Sequence, residues 1–303
     1  MRIGIDIGGS HIGVGLVDEN GNIIIKREKD LVKKENLDIE TIIIDTVIQY
    51  IDKIMFEKSL NINKIKFIGI AYPASLRNGK IGKSTNLGFV EGEKIKETIK
   101  QHFNIPVYIK NDAKCAAICE KKYGSLKEYS NCVFLTIGTG IGGAAFINDT
   151  LLSTTQNDLF KIGHITIKKD GIECKCGKKG CFEQYASITS LKREVKDKYN
   201  INEELTGIKL YKIINDNIQD EKMKKIEKEY IENICIGLSN IIKLFEPEAI
   251  SIGGSFAYYE NIFLEALEEK LKQNQMVSRD NCPKLLIATY KNDAGIIGAA
   301  NIV

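Results

Sequence analysis

No apolar run in the 303 residues reaches the ~18 needed for a helix that crosses a membrane, so a membrane partner is not expected. The N-terminus, MRIGIDIGG, has no charged segment followed by an apolar stretch and a cleavage site. It reads as a strand entering a glycine turn, which predicts a cytoplasmic chain. In that compartment thiols stay reduced, and the eight cysteines are expected as thiols or metal ligands. Strong charge of one sign is also missing: 43 Lys and Arg against 40 Asp and Glu leave a formal net charge of +3. The basic runs KREKDLVKKE, LKREVKDK and DEKMKKIEKEY are interleaved with acids, as on solvated faces. No basic stripe with interleaved aromatics is present, so nucleic acid is not an expected partner. No low-complexity linker separates the two halves either, although the length suffices for two domains with substantial cores.

What is present is concentrated between His164 and Glu183, HITIKKDGIECKCGKKGCFE. His164, Cys174, Cys176 and Cys181 stand at metal-ligand spacing, and Gly177 and Gly180 allow the chain to fold tightly enough for three thiolates to converge. The other cysteines, 115, 119, 132, 235 and 282, show no such pattern. Four protein ligands leave no open position, so the expectation is a structural zinc ion that shapes a site.

A weak repeat organises the remainder. RIGIDIGGSHIGVGLVD and NCVFLTIGTGIGGAAFIND each read as strand, glycine turn, strand, and the Asn20-Gly21 pair predicts a hairpin back into a third strand. Apolar residues at helical intervals predict helices over 39–58 and 93–103, then 113–123 after Asn111-Asp112, and a long one over about 219–245 that stops before Pro247. The tail reads strand, helix, strand, short helix. The alternation is α/β. The expected domains are 1–112 plus 291–303, and 113–290 with the zinc loop.

Three segments are candidates for chemistry. Asp6-Ile7-Gly8-Gly9-Ser10 ends a strand with a carboxylate and then two residues without side chains, so backbone N–H groups can approach an anion. Gly138-Thr139-Gly140 repeats the device. A glycine turn between strands is most often only a turn, but two at matching places favour a phosphate cradle. A Rossmann loop does not fit, because GTGIGG leads into AAFIND, a strand pattern. Asn111-Asp112 is either a helix cap or the place of a general base, with Asp112 taking a proton from an attacking hydroxyl and Asp6 serving magnesium and phosphate.

The set DIGGSH, NDAKCAAICE, TIGTGIGG, GH, CKCGKKGCFEQYAS, SIGGS and NDAGIIGAA resembles the ROK family of sugar kinases and sugar-responsive repressors, in the family's order from residue 3 to about 300. The resemblance implies an actin/hexokinase-like fold, a duplicated ribonuclease H-like α/β architecture with central mixed sheets. It implies ATP with Mg2+, a structural Zn2+, a small-molecule sugar substrate and a homodimer. Matching positions place Asn111, Asp112, His164 and Glu183 on sugar hydroxyls, with Asn86 in the substrate-side segment Thr85-Asn86-Leu87. Gly8, Gly9, Ser10, Gly138, Thr139 and Gly140 would face the phosphates, and Gly253 and Gly254 the adenosine. Three positions depart from the family pattern: His11 replaces lysine or asparagine, Ala74 replaces glycine, and Lys161 replaces a glutamate. The Ser-His-Ile and Pro-Ala features are similar to the allose kinase branch.

The resulting expectation is transfer of the γ-phosphoryl of ATP to a free hexose such as glucose or allose, at the 6-hydroxyl. N-acetylmannosamine and fructose are alternative substrates, and a non-catalytic sugar sensor is an alternative role. Family repressors carry a helix–turn–helix ahead of the kinase-like body. Here the first strand is read from residue 2 or 3, so the expected alternative is a sensor that acts through another protein, and the presence of Asp112 favours the enzyme over it.

Overall fold

The computed structural model describes residues 1–31, 38–78, 80–84, 87–153, 160–273 and 282–303. The chain forms two compact units, Met1–Lys127 with Asn292–Val303, and Glu128–Leu152 with Phe160–Lys291.

In the first unit β1 (Arg2–Ile7), β2 (His11–Val17) and β3 (Ile23–Asp30) form an antiparallel meander, and β4 (Ile68–Tyr72) and β9 (Val107–Asn111) continue it as parallel strands. The sheet order is β3-β2-β1-β4-β9. Asp18 fixes the β2–β3 turn by accepting the Asn20 and Asn22 N–H groups, each at 2.8 Å, and Gly21 supplies a φ of 85°. Two short hairpins, β5 (Leu76–Arg77) with β6 (Lys80–Ile81) and β7 (Lys83–Ser84) with β8 (Val90–Glu91), follow β4.

Helix α1 (Ile39–Glu57) starts at Asp38, whose carboxylate accepts the Thr41 N–H. It buries Ile43, Val47, Ile51 and Ile54, one stripe at helical spacing. α2 (Gly92–Phe103) contributes Ile95 and Ile99 to the same core, where Ile3, Ile5 and Ile7 of β1 also lie. α3 (Asp112–Tyr123) leaves the end of β9 directly and packs against α9 (Ala294–Ala299). α9 lies close on the sheet because β1 and β4 offer glycines: a Cβ at Gly4 would stand 1.9 Å from the Ile296 carbonyl oxygen, and one at Gly69 1.8 Å from that of Ala299.

The second unit repeats the plan. β10 (Cys132–Ile137), β11 (Ile141–Ile147) and β12 (Thr150–Leu151) are antiparallel, β13 (Ala249–Gly253) and β14 (Lys284–Ile287) parallel, in the order β12-β11-β10-β13-β14. Both sheets are therefore mixed, with the same order of roles. α4 (Glu183–Ala186), α5 (Ile188–Tyr199), α6 (Gly207–Asp216), α7 (Glu221–Phe245) and α8 (Glu260–Lys272) complete it. The core joins Leu191 and Val195 of α5, Ile234 and Leu238 of α7, and Phe263 and Leu267 of α8 to β10 and β13. α7 ends at Phe245, with Glu246 left-handed (φ 39°) just before Pro247.

Candidate active site

In the first unit the β1–β2 turn is closed by Gly8, whose N–H donates to the His11 carbonyl at 2.9 Å. The His11 ring covers Gly8: a Cβ there would meet Cε1 and Nδ1 at 2.8 Å. Gly9 and the exposed Ser10 form the tip. Asp6, just before the turn, points its carboxylate at the start of α9, where a Cβ on Gly295 would come within 2.3 Å of Oδ2. His11 Nε2 lies 3.8 Å from the same oxygen. That interaction with Asp6 raises the His11 pKa, burial opposes it, and the Glu28 and Asp30 carboxylates add to the rise.

Asn111 and Asp112 lie where β9 turns into α3. Asn111 caps the helix, its Oδ1 accepting the Lys114 N–H at 3.3 Å, while its Nδ2 donates to the Ala74 carbonyl at 3.2 Å and to Asp112 Oδ1 at 2.9 Å. The Ala113 N–H donates to the same Oδ1 at 2.8 Å, so two donors fix the plane of the Asp112 carboxyl group. Burial pushes its pKa up to about 6; the Ala113 and Asn111 hydrogen bonds oppose the rise and the Asp6 charge adds to it. Asn86 lies outside the described residues.

In the second unit the Gly138 N–H donates to the Gly140 carbonyl at 2.9 Å, and the Ile188 N–H at the start of α5 donates to the Gly138 carbonyl at 2.9 Å. Thr139 stands exposed at the tip. β13 ends at Gly253 beside β10, and Gly254 follows it with φ 71°, where a Cβ would lie 2.8 Å from the Ile137 carbonyl oxygen. The two glycine stretches therefore lie at the C-terminal ends of two neighbouring parallel strands. Gly140 also borders Glu183. A Cβ at Gly140 would stand 2.8 Å from Glu183 Oε2, which accepts the Ile141 N–H at 3.5 Å.

The ligand atoms of His164, Cys174, Cys176 and Cys181 all lie within 4.8 Å of one another. Cys174 Sγ is 3.6 Å from His164 Nδ1, and Cys176 Sγ is 3.5 Å from Cys181 Sγ. A tetrahedral zinc ion with bonds of about 2.0–2.3 Å sets ligand atoms about 3.5–3.8 Å apart, so both the donor set and its spacing fit zinc. Tight turns bring the four side chains together: Gly177 and Gly180 have φ of 86° and 73°, and Thr166 bridges to Cys181 and Glu173 to Lys179. Burial pushes the Cys181 thiol up to about 12 and raises that of Cys174, so metal binding must release protons. Glu183 Oε1 sits 3.2 Å from Cys174 Sγ and 3.5 Å from His164 Nδ1. With Nδ1 toward the sulfurs, the His164 ring keeps Nε2 for another partner.

The structure thus gathers Asp6, Gly8, Gly9, Ser10, Asn111 and Asp112 in one unit, and Gly138, Thr139, Gly140, Gly253, Gly254, His164, Glu183 and the three cysteines in the other. The seat of Asp6 on Gly295 and the Ile188 N–H under Gly138 were missing from the sequence reading. Only the small residues of DAGIIGAA hinted at the first.

Comparison with known proteins gives the family of the whole chain. The chain is 28% identical over 314 residues to a glucokinase of Thermotoga maritima, covering 99% of this chain and 96% of that protein. It is 27% identical over 312 residues to a xylose repressor of Caldicellulosiruptor bescii, covering 99% and 77%. The crystal structure of a ROK family glucokinase from Streptomyces griseus in complex with glucose and AMPPNP superposes with a TM-score of 0.79 at 25% identity, over 100% of this chain and 98% of that one. The ROK family profile matches residues 2–303, and the chain belongs to the ROK family.

Proposed function

We propose that this protein is an ATP-dependent sugar kinase that transfers the γ-phosphoryl group to the 6-hydroxyl of a free hexose such as glucose or allose. The observation that carries this reading is Asp112, a carboxyl group fixed by the Ala113 N–H and the Asn111 amide, with a pKa of about 6. A general base works best when its pKa lies near the working pH. Asp112 takes the proton of the attacking hydroxyl, a bond forms from that oxygen to the γ-phosphorus, and the bond to the ADP oxygen breaks. Asn111, His164 and Glu183 hold the other sugar hydroxyls, with Asn86 assigned to the same task by sequence alone. The backbone N–H groups of Gly8, Gly9 and Ser10 and of Gly138, Thr139 and Gly140 hold the phosphates, Gly253 and Gly254 border the adenosine, and Asp6 is on the metal side. Magnesium, when bound, neutralises developing phosphate charge. Zinc would hold His164, Cys174, Cys176 and Cys181 and so orient the His164 ring.

The similarity to glucokinases supports this reading, and the AMPPNP and glucose bound to the Streptomyces griseus enzyme are the corresponding ligands. The similarity to a xylose repressor supports a second reading, a sugar sensor without turnover. ADP release with Mg-ATP and glucose, allose, mannose, fructose, N-acetylglucosamine or N-acetylmannosamine separates the two. We expect one sugar to give clear turnover. Sugar binding without ADP release from zinc-replete protein would establish the sensor instead.

A further inference from the structure

The second unit holds a cavity of about 860 Å3 that none of the proposed site residues lines. Its walls come from the zinc loop, α4, α5 and α7, and its floor is apolar, with Leu191, Ile226, Tyr185 and Tyr230. One wall is well built: the Tyr185 hydroxyl accepts the Ile172 N–H at 2.6 Å, and a Cβ on Gly171 would lie 2.0 Å from that hydroxyl oxygen. Around the floor stand Lys168, Arg193, Lys198, Lys222 and Lys225, against the carboxylates Glu194 and Glu229. This net charge of +3 in one cavity equals the formal net charge of the whole chain.

Two of the cations are engaged. Arg193 donates to the Gln184 carbonyl at 2.8 Å and lies 3.5 Å from Glu194, and Lys168 lies over the Tyr185 ring. Lys198, Lys222 and Lys225 form no ion pair among the described residues. Lys222 and Lys225 stand one turn apart at the N-terminal end of α7, where the helix dipole and their mutual repulsion both disfavour cations. Asp220, which caps α7 through the Lys222 N–H, offsets part of that charge.

We propose that this cavity binds a small organic phosphate. Three unpaired ammonium groups call for more than one negative charge on one ligand, and a phosphate ester brings about −2 near neutral pH. The apolar floor takes its organic body, and the volume is that of a small-molecule site. The site stands whether or not the chain phosphorylates a sugar.

The test is titration calorimetry on the full zinc-loaded chain with inorganic phosphate, glucose 6-phosphate and AMP. Three proteins are compared: wild type, the Lys198→Gln/Lys222→Gln/Lys225→Gln variant, and a Lys212→Gln/Lys243→Gln/Lys272→Gln control. All six lysines are exposed, so both variants are expected to fold. Glucose 6-phosphate or AMP should bind wild type and control alike, more tightly than inorganic phosphate, and at least ~10-fold more weakly to the cavity variant. Which of the two binds identifies a sugar phosphate or a nucleotide as the source. Equal affinity in all three proteins would overturn the proposal, as would equal binding of inorganic and organic phosphate. A drop in molecular mass by light scattering in the cavity variant, with no phosphate bound to wild type, would make the cavity a subunit contact instead.

Discussion

A carboxyl group that accepts a proton near neutral pH has to be kept from ionising too readily, and burial does this for Asp112. Because the base works unprotonated, kcat/KM should fall as pH drops through about 6, the limb set by Asp112 in the free enzyme. Asp6 contributes to the raised value, so Asp6→Asn should move that limb to lower pH in the residual activity. An acid limb unmoved in Asp6→Asn would show that the two carboxylates do not interact. Asp112, His164 and Glu183 could be singled out as candidates in the sequence because each sits in a short motif beside its own turn or cap. The partners of Asp6 could not: Gly295 is nearly the whole chain away, and glycine in a short helix reads as weak helix propensity until its neighbour is known.

Among the elements, the zinc loop was the most legible, since all four candidate ligands fall within eighteen residues, His164 to Cys181, and the glycines between them announce the turns. If zinc holds this loop, a chelator should lower the thermal midpoint and raise the KM for sugar more than that for ATP. Unchanged sugar KM in a verified zinc-free preparation would remove the metal from the sugar site. The long helices were legible from their apolar stripes. α4 and the short hairpins after β4 were not, because a helix of four residues and strands of two are too short to show a period. α5 and α6 do carry apolar stripes, Ile188, Leu191 and Val195 in one and Leu210 and Ile214 in the other, which the sequence reading passed over. α9 depends on close backbone approach. Gly69→Ala would press a methyl group into the Ala299 carbonyl and should cost at least about 2 kcal/mol in urea unfolding, whereas a cost near zero would mean that α9 can shift freely.

For the whole molecule, the duplicated plan was visible as two strand–glycine–strand segments, and the structure extends each into the same five-stranded mixed sheet. What the strands could not reveal was which neighbours they take. β1 pairs with β4 and β10 with β13 across intervening segments of very different length, about 60 and about 110 residues, and pattern within a strand does not encode that distance. No helix among the described residues is long and apolar enough to cross a membrane. Two roles fit such a body, catalysis and sensing, and they part at one carboxyl group. The most direct measurement is ADP release by Asp112→Ala beside wild type, with Mg-ATP and the sugar that gives the highest turnover, both proteins zinc-loaded and equal in circular dichroism. Turnover reduced by at least ~10²-fold with sugar affinity largely kept is the predicted result. Near-normal turnover in Asp112→Ala would contradict it.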